Sequence, residues 1–186
     1  MLIEKEFYFV RHGQTNWNLD RRAQGQTDIP LNDAGRREAH RAALAAARIN
    51  FSTICSSPLS RAIETAEKIR DVTGCNIEII DDLSECCWGE REGQVKADWF
   101  EKWKQGIETP RGAETYDAFL ARALGAINKA LAKREPVLIV AHGGIYWAVQ
   151  IYAIRNIEQT LPNATIIKHT PPSEQHPWWR TFKLSP

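Results

Sequence analysis

The chain lacks an excess of charge of either sign. Its 24 Lys and Arg stand against 23 Asp and Glu, a formal net charge of +1 over 186 residues. A balance so near zero gives no electrostatic case for nucleic acid or an anionic membrane surface as partner. No apolar run approaches the ~20 residues that cross a bilayer. The N-terminus, Met1-Leu2-Ile3-Glu4-Lys5-Glu6, carries acids and enters a strand within a few residues, so no secretory signal is expected. Cysteines are few: Cys55, Cys75, Cys86 and Cys87, with no C-x-x-C pair and no His at zinc spacing. Cys86 and Cys87 are adjacent, a poor geometry for bridging one another. Free buried thiols in a reducing cytoplasm are the expectation. Repeats of solenoid period and low-complexity segments are also missing.

What is present is globular. Hydrophobic residues make up 43% and charged residues 25%, and the length suits one domain over residues 1–186 with a sizeable core. Phe7–Val10 is an apolar run that reads as a buried strand, ended by Arg11-His12-Gly13. A polar stretch from Gln14 to Leu31 follows, with Gly25 and Pro30 as breakers; loops of that length are usually functional. Asn32 is expected to cap a helix to about Arg48. Thr53-Ile54-Cys55 is a second strand. Ser57-Pro58 is expected to open the next helix, Ser as cap and Pro at the first position. Its apolar face is Leu59, Ala62, Ile63, Ala66, Ile69 and Val72, and Gly74 ends it. Asn76–Ile80 is a third strand.

Asp81–Gly93 is irregular and acidic. Trp99 and Trp103 fall in a short helix, and residues Tyr116 to Leu131 show helical spacing. Val137–Ala141 is apolar throughout, a strand that runs into His142-Gly143-Gly144 and then a helix to about Arg155. Ala164–Lys168 and Trp179–Leu184 read as final strands around a Pro-rich turn. Strands alternating with helices imply a three-layer α/β/α sandwich with a mostly parallel central sheet. Ligands bind such sheets at the carboxyl ends of strands.

Two strands end alike, in Arg11-His12-Gly13 and in His142-Gly143. As parallel neighbours they would set both histidines on one sheet edge, with glycines letting a ligand approach the backbone. A histidine can attack phosphorus or bind metal. Arg11 flanks His12, and Arg61 lies in the first turn after Ser57-Pro58, at the positive end of a helix. Fixed cations repel a metal ion and grip a phosphoryl group through bidentate forks. On spacing alone Arg61 is equally a solvated helix charge.

At these residues the sequence resembles the histidine phosphatase superfamily, also called the phosphoglycerate mutase-like family. The stretches that carry the resemblance are Arg11-His12-Gly13-Gln14-Thr15 with Trp17-Asn18, and Gln24-Gly25 with Asp28, Pro30 and Leu31. Leu31-Asn32-Asp33-Ala34-Gly35 follows, then Ser56-Ser57-Pro58-Leu59-Ser60-Arg61-Ala62-Ile63-Glu64-Thr65-Ala66, Leu83-Ser84-Glu85 and Ala141-His142-Gly143-Gly144. The resemblance implies His12 as the nucleophile that becomes phosphohistidine, Arg11 and Arg61 as phosphate clamp, and His142 as a further donor. It implies Glu85 as general acid and then base, and Asn18, Gln24, Gly25 and Gly143 as phosphate or substrate contacts. No metal and no cofactor is implied. Without the resemblance, Glu85 reads as an exposed loop glutamate.

His40, His169 and His176 are expected to be surface or structural residues, and Trp103, Trp178 and Trp179 to pack in the core or at its edge. Trp88 and Trp99, nearer Glu85, are pocket candidates. Glu114-Thr115 is a substrate-loop candidate, and Arg36-Arg37-Glu38 with Arg41 a solvated helix face. Cys86-Cys87-Trp88-Gly89-Glu90-Arg91-Glu92-Gly93 after Glu85 is closer to the phosphatase branch than to the longer mutases. The expected activity is therefore metal-independent hydrolysis of a small phosphorylated metabolite. A mutase-type phosphotransferase and a non-catalytic phospholigand-binding module are the alternatives. Edge strands near the C-terminus permit a homodimer.

Overall fold

The computed structural model describes residues 1–154 and 161–184. Six strands, β1 (Phe7–Arg11), β2 (Thr53–Ser56), β3 (Ile77–Ile79), β4 (Val137–Ala141), β5 (Ile166–Thr170) and β6 (Arg180–Lys183), form one sheet in the order β3-β2-β4-β1-β5-β6. The first four are parallel; β5 is antiparallel to β1, and β6 to β5. β4 is buried along its whole length, which is why V-L-I-V-A shows no alternation: both sheet faces are covered.

The pleat divides the core in two. Phe7 and Phe9 of β1 and Val137 and Ile139 of β4 belong to one apolar cluster; Tyr8, Val10, Leu138 and Val140 belong to the other. Helices α2 (Asp33–Ala46) and α3 (Ser60–Thr73) cover the second face through Ala42, Ala43, Ala46, Ala62, Ala66 and Ile69. Small side chains let these two helices lie close together. The first face carries α4 (Asp98–Lys104), α5 (Tyr116–Leu131) and α6 (Gly143–Val149) through Trp103, Phe119, Ala123, Ile127 and Ile145. The fold is the expected three-layer α/β/α arrangement.

Several boundaries differ from expectation. The polar stretch holds a short helix, α1 (Asn16–Leu19), and α2 stops at Ala46. Helix α3 starts at Ser60 with Leu59 at its cap position, not at Ser57-Pro58. The cap arrives from outside: Asp28 Oδ1 accepts Ser60 N at 2.9 Å and Ser60 Oγ at 2.8 Å, so a distant carboxylate displaces the local Ser preference. Val72 is 41% exposed and so leaves the apolar face of α3. Helix α6 gives way to a π-helical turn, Gln150–Ile154; Arg155, its expected end, lies outside the described residues. β5 sits two residues later than expected. Trp103 and Trp179 pack as expected, but Trp178 is 72% exposed. Cys55 and Cys86 are buried, while Cys75 and Cys87 are half-buried; all four are free. No helix among the described residues is long and apolar enough to cross a membrane.

Candidate active site

β1 and β4 pair in register, Arg11 opposite Ala141. The residues that follow both strands therefore emerge together, and His12 N donates to Ala141 O at 3.0 Å. The His12 and His142 rings are buried, with centroids 5.2 Å apart. His12 Nδ1 lies 2.7 Å from Gly13 O. Only a protonated nitrogen can bond a carbonyl, so Nδ1 carries the proton and Nε2 presents its lone pair. His142 Nε2 lies 2.7 Å from Ser57 Oγ, which itself accepts Leu59 N at 3.3 Å. Among the described residues the Ser57 hydroxyl has no other acceptor, so its proton points to His142 Nε2 and leaves Nδ1–H as a free donor. Ser57, read from sequence as a helix cap, instead sets the tautomer of His142.

Both imidazoles are held neutral. Burial, then the Arg61 charge, pushes the pKa of His12 and of His142 well below 6.5; Arg11 adds to this in both, and the Gly13 bond opposes it at His12. Arg61 is fully buried, its Nη1 donating to Thr27 O at 3.0 Å and its Nη2 to Gly25 O at 2.7 Å. Arg11 Nη1 donates to Leu161 O at 3.0 Å. Arg11 Nε, Arg61 Nε and His142 Nδ1 are buried with no hydrogen-bond partner. Unpaired buried donors are costly, roughly 1–3 kcal/mol each, and these three belong to the two arginines whose charges act on His12 and to the ring beside it, a set that suits an anion with several oxygens.

Glu85 reaches the same edge from the other side. Its Oε1 accepts Cys86 N at 2.9 Å and its Oε2 accepts Gly144 N at 3.1 Å. A Cβ on Gly144 would stand 2.1 Å from Glu85 Oε1 and so would push the carboxylate out of this position. The acid-bearing segment is stapled by Arg122 of α5, which donates to the carbonyls of Asp82 at 2.7 Å, Ser84 at 2.9 Å and Glu85 at 3.2 Å. Arg122 also grips Glu114 through two 2.7 Å bonds, and Glu114 Oε2 accepts Cys87 N at 2.8 Å. Glu114 is therefore a strut, and Thr115 caps α5. The signal for Arg122 in the sequence is a cation in the middle of a mostly apolar helix, whose other cation, Lys129, lies in the last turn.

The polar loop supplies the remaining candidates. Asn18 Oδ1 accepts Thr15 N at 3.0 Å, and Gln24 Oε1 accepts Thr15 Oγ1 at 3.0 Å, so both side chains brace the loop through their oxygens. Gly25 has φ +56°, and a Cβ there would fall 2.1 Å from Glu92 Oε1. Glu92, missed from sequence, takes Gln26 N, Thr27 N, Thr27 Oγ1 and Trp88 N and so holds the carbonyls that orient Arg61. Gly143 opens α6 and packs against Arg11. A cavity of about 370 Å³ adjoins, lined by Arg11 and Glu85 with Trp88, Phe100, Tyr146 and Trp147. Trp88 is thus a pocket residue. Trp99 does not line the cavity; its ring packs edge-on against Trp88 at 5.6 Å. Among the described residues no group of three or more His, Cys, Asp or Glu is placed to hold a metal ion.

Fold and site together define an α/β protein whose strand ends converge on an anion-sized set of donors around a neutral imidazole. Residues 7–172 match the histidine phosphatase superfamily (branch 1), and the chain belongs to it. It is 36% identical over 143 residues to the uncharacterised phosphatase PhoE of Bacillus subtilis, covering 75% of this chain and 72% of that one. It is 34% identical over 155 residues to phosphoglycerate mutase-like protein 4 of Arabidopsis thaliana, covering 75% and 67%. Among solved structures, a mycobacterial glucosyl-3-phosphoglycerate phosphatase superposes with a TM-score of 0.80 at 25% identity, over 96% of this chain and 97% of that one.

Proposed function

We propose that the protein is a phosphomonoesterase acting through a phosphohistidine on His12, on a small phosphorylated metabolite. The observation that carries this reading is the set of three buried, unpartnered N–H donors beside an imidazole whose Nε2 is free. In the first step His12 Nε2 attacks phosphorus. An N–P bond forms as the ester P–O bond breaks, and protonated Glu85 gives its proton to the departing oxygen. In the second step Glu85 carboxylate takes a proton from water, whose oxygen attacks phosphorus. The N–P bond breaks, phosphate leaves, and Glu85 is protonated again. Two lower barriers replace one high one. Arg11, Arg61 and His142 are preorganised to stabilise charge on the transferring group. Fixed guanidinium charges fill the role a metal would take, so a chelator is expected to leave turnover unchanged.

The test is hydrolysis of an aryl phosphate together with trapping of acid-labile phosphoprotein from labelled substrate. His12→Ala is expected to abolish both, whereas label retained in that variant would refute the nucleophile assignment. Glu85→Gln is expected to slow alkyl phosphates by ~10²-fold or more while sparing esters with acidic leaving groups; equal losses would remove the proton-donor role. The names of several relatives favour a second reading, a phosphoglycerate mutase-type transferase. Against it, only the turn Gly89–Arg91 and seven-residue α4 separate Glu85 from the loop before α5, too little chain for a long lid that would keep a phosphoenzyme from water. Assays with and without bisphosphoglycerate separate the two activities.

A further inference from the structure

The cavity beside Glu85 contains a cation that the chemistry above does not use. Lys96 lines it, with Nζ 4.3 Å from the Phe100 ring centroid and 5.2 Å from that of Trp88. Lys96 makes no ion pair or hydrogen bond among the described residues, and Glu85 spends its oxygens on Cys86 N and Gly144 N. The second lysine of the cavity differs: Lys104 is already paired with Glu101 at 2.6 Å. Lys96 is an exposed residue whose ammonium rests on the ring faces; partial desolvation against the cavity wall draws its pKa below the ordinary value, with Glu85 pulling the other way. Trp88, Phe100 and Trp147 supply flat apolar walls, and about 370 Å³ holds a leaving group the size of one substituted ring.

Resting on the phosphomonoesterase reading, we propose that this cavity receives the leaving group of an aryl phosphate bearing a carboxylate, with the ring against the aromatic wall and the carboxylate on Lys96. The phosphoryl end would then lie at Arg11 and His12, the ester oxygen at Glu85, and the remote anion at Lys96, the cavity lysine without an ion pair among the described residues. A carboxylate on the Lys96 ammonium makes a charge-assisted contact, so substrate charge becomes a specificity determinant.

The experiment compares 4-(carboxymethyl)phenyl phosphate with its neutral methylamide, which matches it in size and leaving-group acidity. The wild type is expected to favour the acid about tenfold in kcat/KM, the size of one good contact. Lys96→Met should bring that ratio near unity, whatever it does to the absolute rates, and Lys96→Arg should restore it. A wild-type ratio near one, or a preference that survives in Lys96→Met, overturns the proposal. The matching arylphosphonates, titrated by calorimetry, provide an arm that needs no turnover. If neither ester is hydrolysed the phosphatase reading fails, and the proposal stands or falls on whether the acid phosphonate binds more tightly than its amide through Lys96. A carboxyalkylphosphonate that binds as well as the acid arylphosphonate would overturn the aromatic part.

Discussion

His169 shows how one residue sets the limits of the molecule. It was expected to be surface or structural, and it is fully buried, stacked on Phe7 at 4.7 Å and near Tyr146 at 5.7 Å, with neither ring nitrogen bonded. Burial pushes its pKa down to about 3. The unfolded chain would bind a proton there near pH 6.5, and the native chain does not. Its contribution to stability is therefore intact above about pH 6.5 and is lost progressively as pH falls toward 3. At about pH 4.5 the linkage amounts to roughly 2–3 kcal/mol. His169→Phe is expected to keep the stacking and flatten this acid loss; melting curves from pH 7 to 4 that fall equally in both proteins would refute it. His12 and His142 are depressed in the same direction. The His12 imidazole therefore stays neutral well below pH 6.5, and on the proposed mechanism acid inactivation by its protonation is not expected near neutrality.

At the scale of elements, the acid-bearing segment is irregular chain between β3 and α5, and one side chain makes several of the bonds that hold it. Arg122 bonds three carbonyls of Asp82–Glu85 and the Glu114 carboxylate. The pair is only 19% and 20% exposed, so removing the guanidinium leaves a largely buried carboxylate. Arg122→Met is expected to cost roughly 3 kcal/mol and to lower Tm by about 6–12 °C. It should also reduce kcat on alkyl phosphates more than on esters with acidic leaving groups, because Glu85 loses its platform. Equal loss on both, with the stability change intact, would make Arg122 a structural residue only. Little of this was legible beforehand. Ser57-Pro58 has the local chemistry of a helix start, yet Asp28, far away in sequence, supplies the cap and releases Ser57 to His142.

At the scale of the whole molecule, the site is assembled from both faces of the sheet and from its edge. Arg61 belongs to the α3 layer, Glu85 and Arg122 to the α5 layer, and the two histidines to strand ends between them. An anion that satisfies Arg11, Arg61 and His142 should tie these layers together. Orthovanadate at about 100 times its Kd is expected to add roughly 2.7 kcal/mol and to raise Tm by about 5–10 °C. No shift in wild type, or an equal shift in His12→Ala, would argue against an oxyanion site at His12. The sequence alone determined what depends on short-range pattern. Phe7–Val10 and Val137–Ala141 are unbroken apolar runs that can only be strands covered on both faces, and each ends in a histidine followed by glycine. The alanine spacing of α2 and α3 likewise needs no tertiary information. Only the tertiary structure decided which polar atoms end up without partners, because hydrogen-bond satisfaction is a property of everything packed around a group. The tautomer of His142 depends on Ser57 and the strut role of Glu114 on the Cys87 backbone, partners tens of residues away.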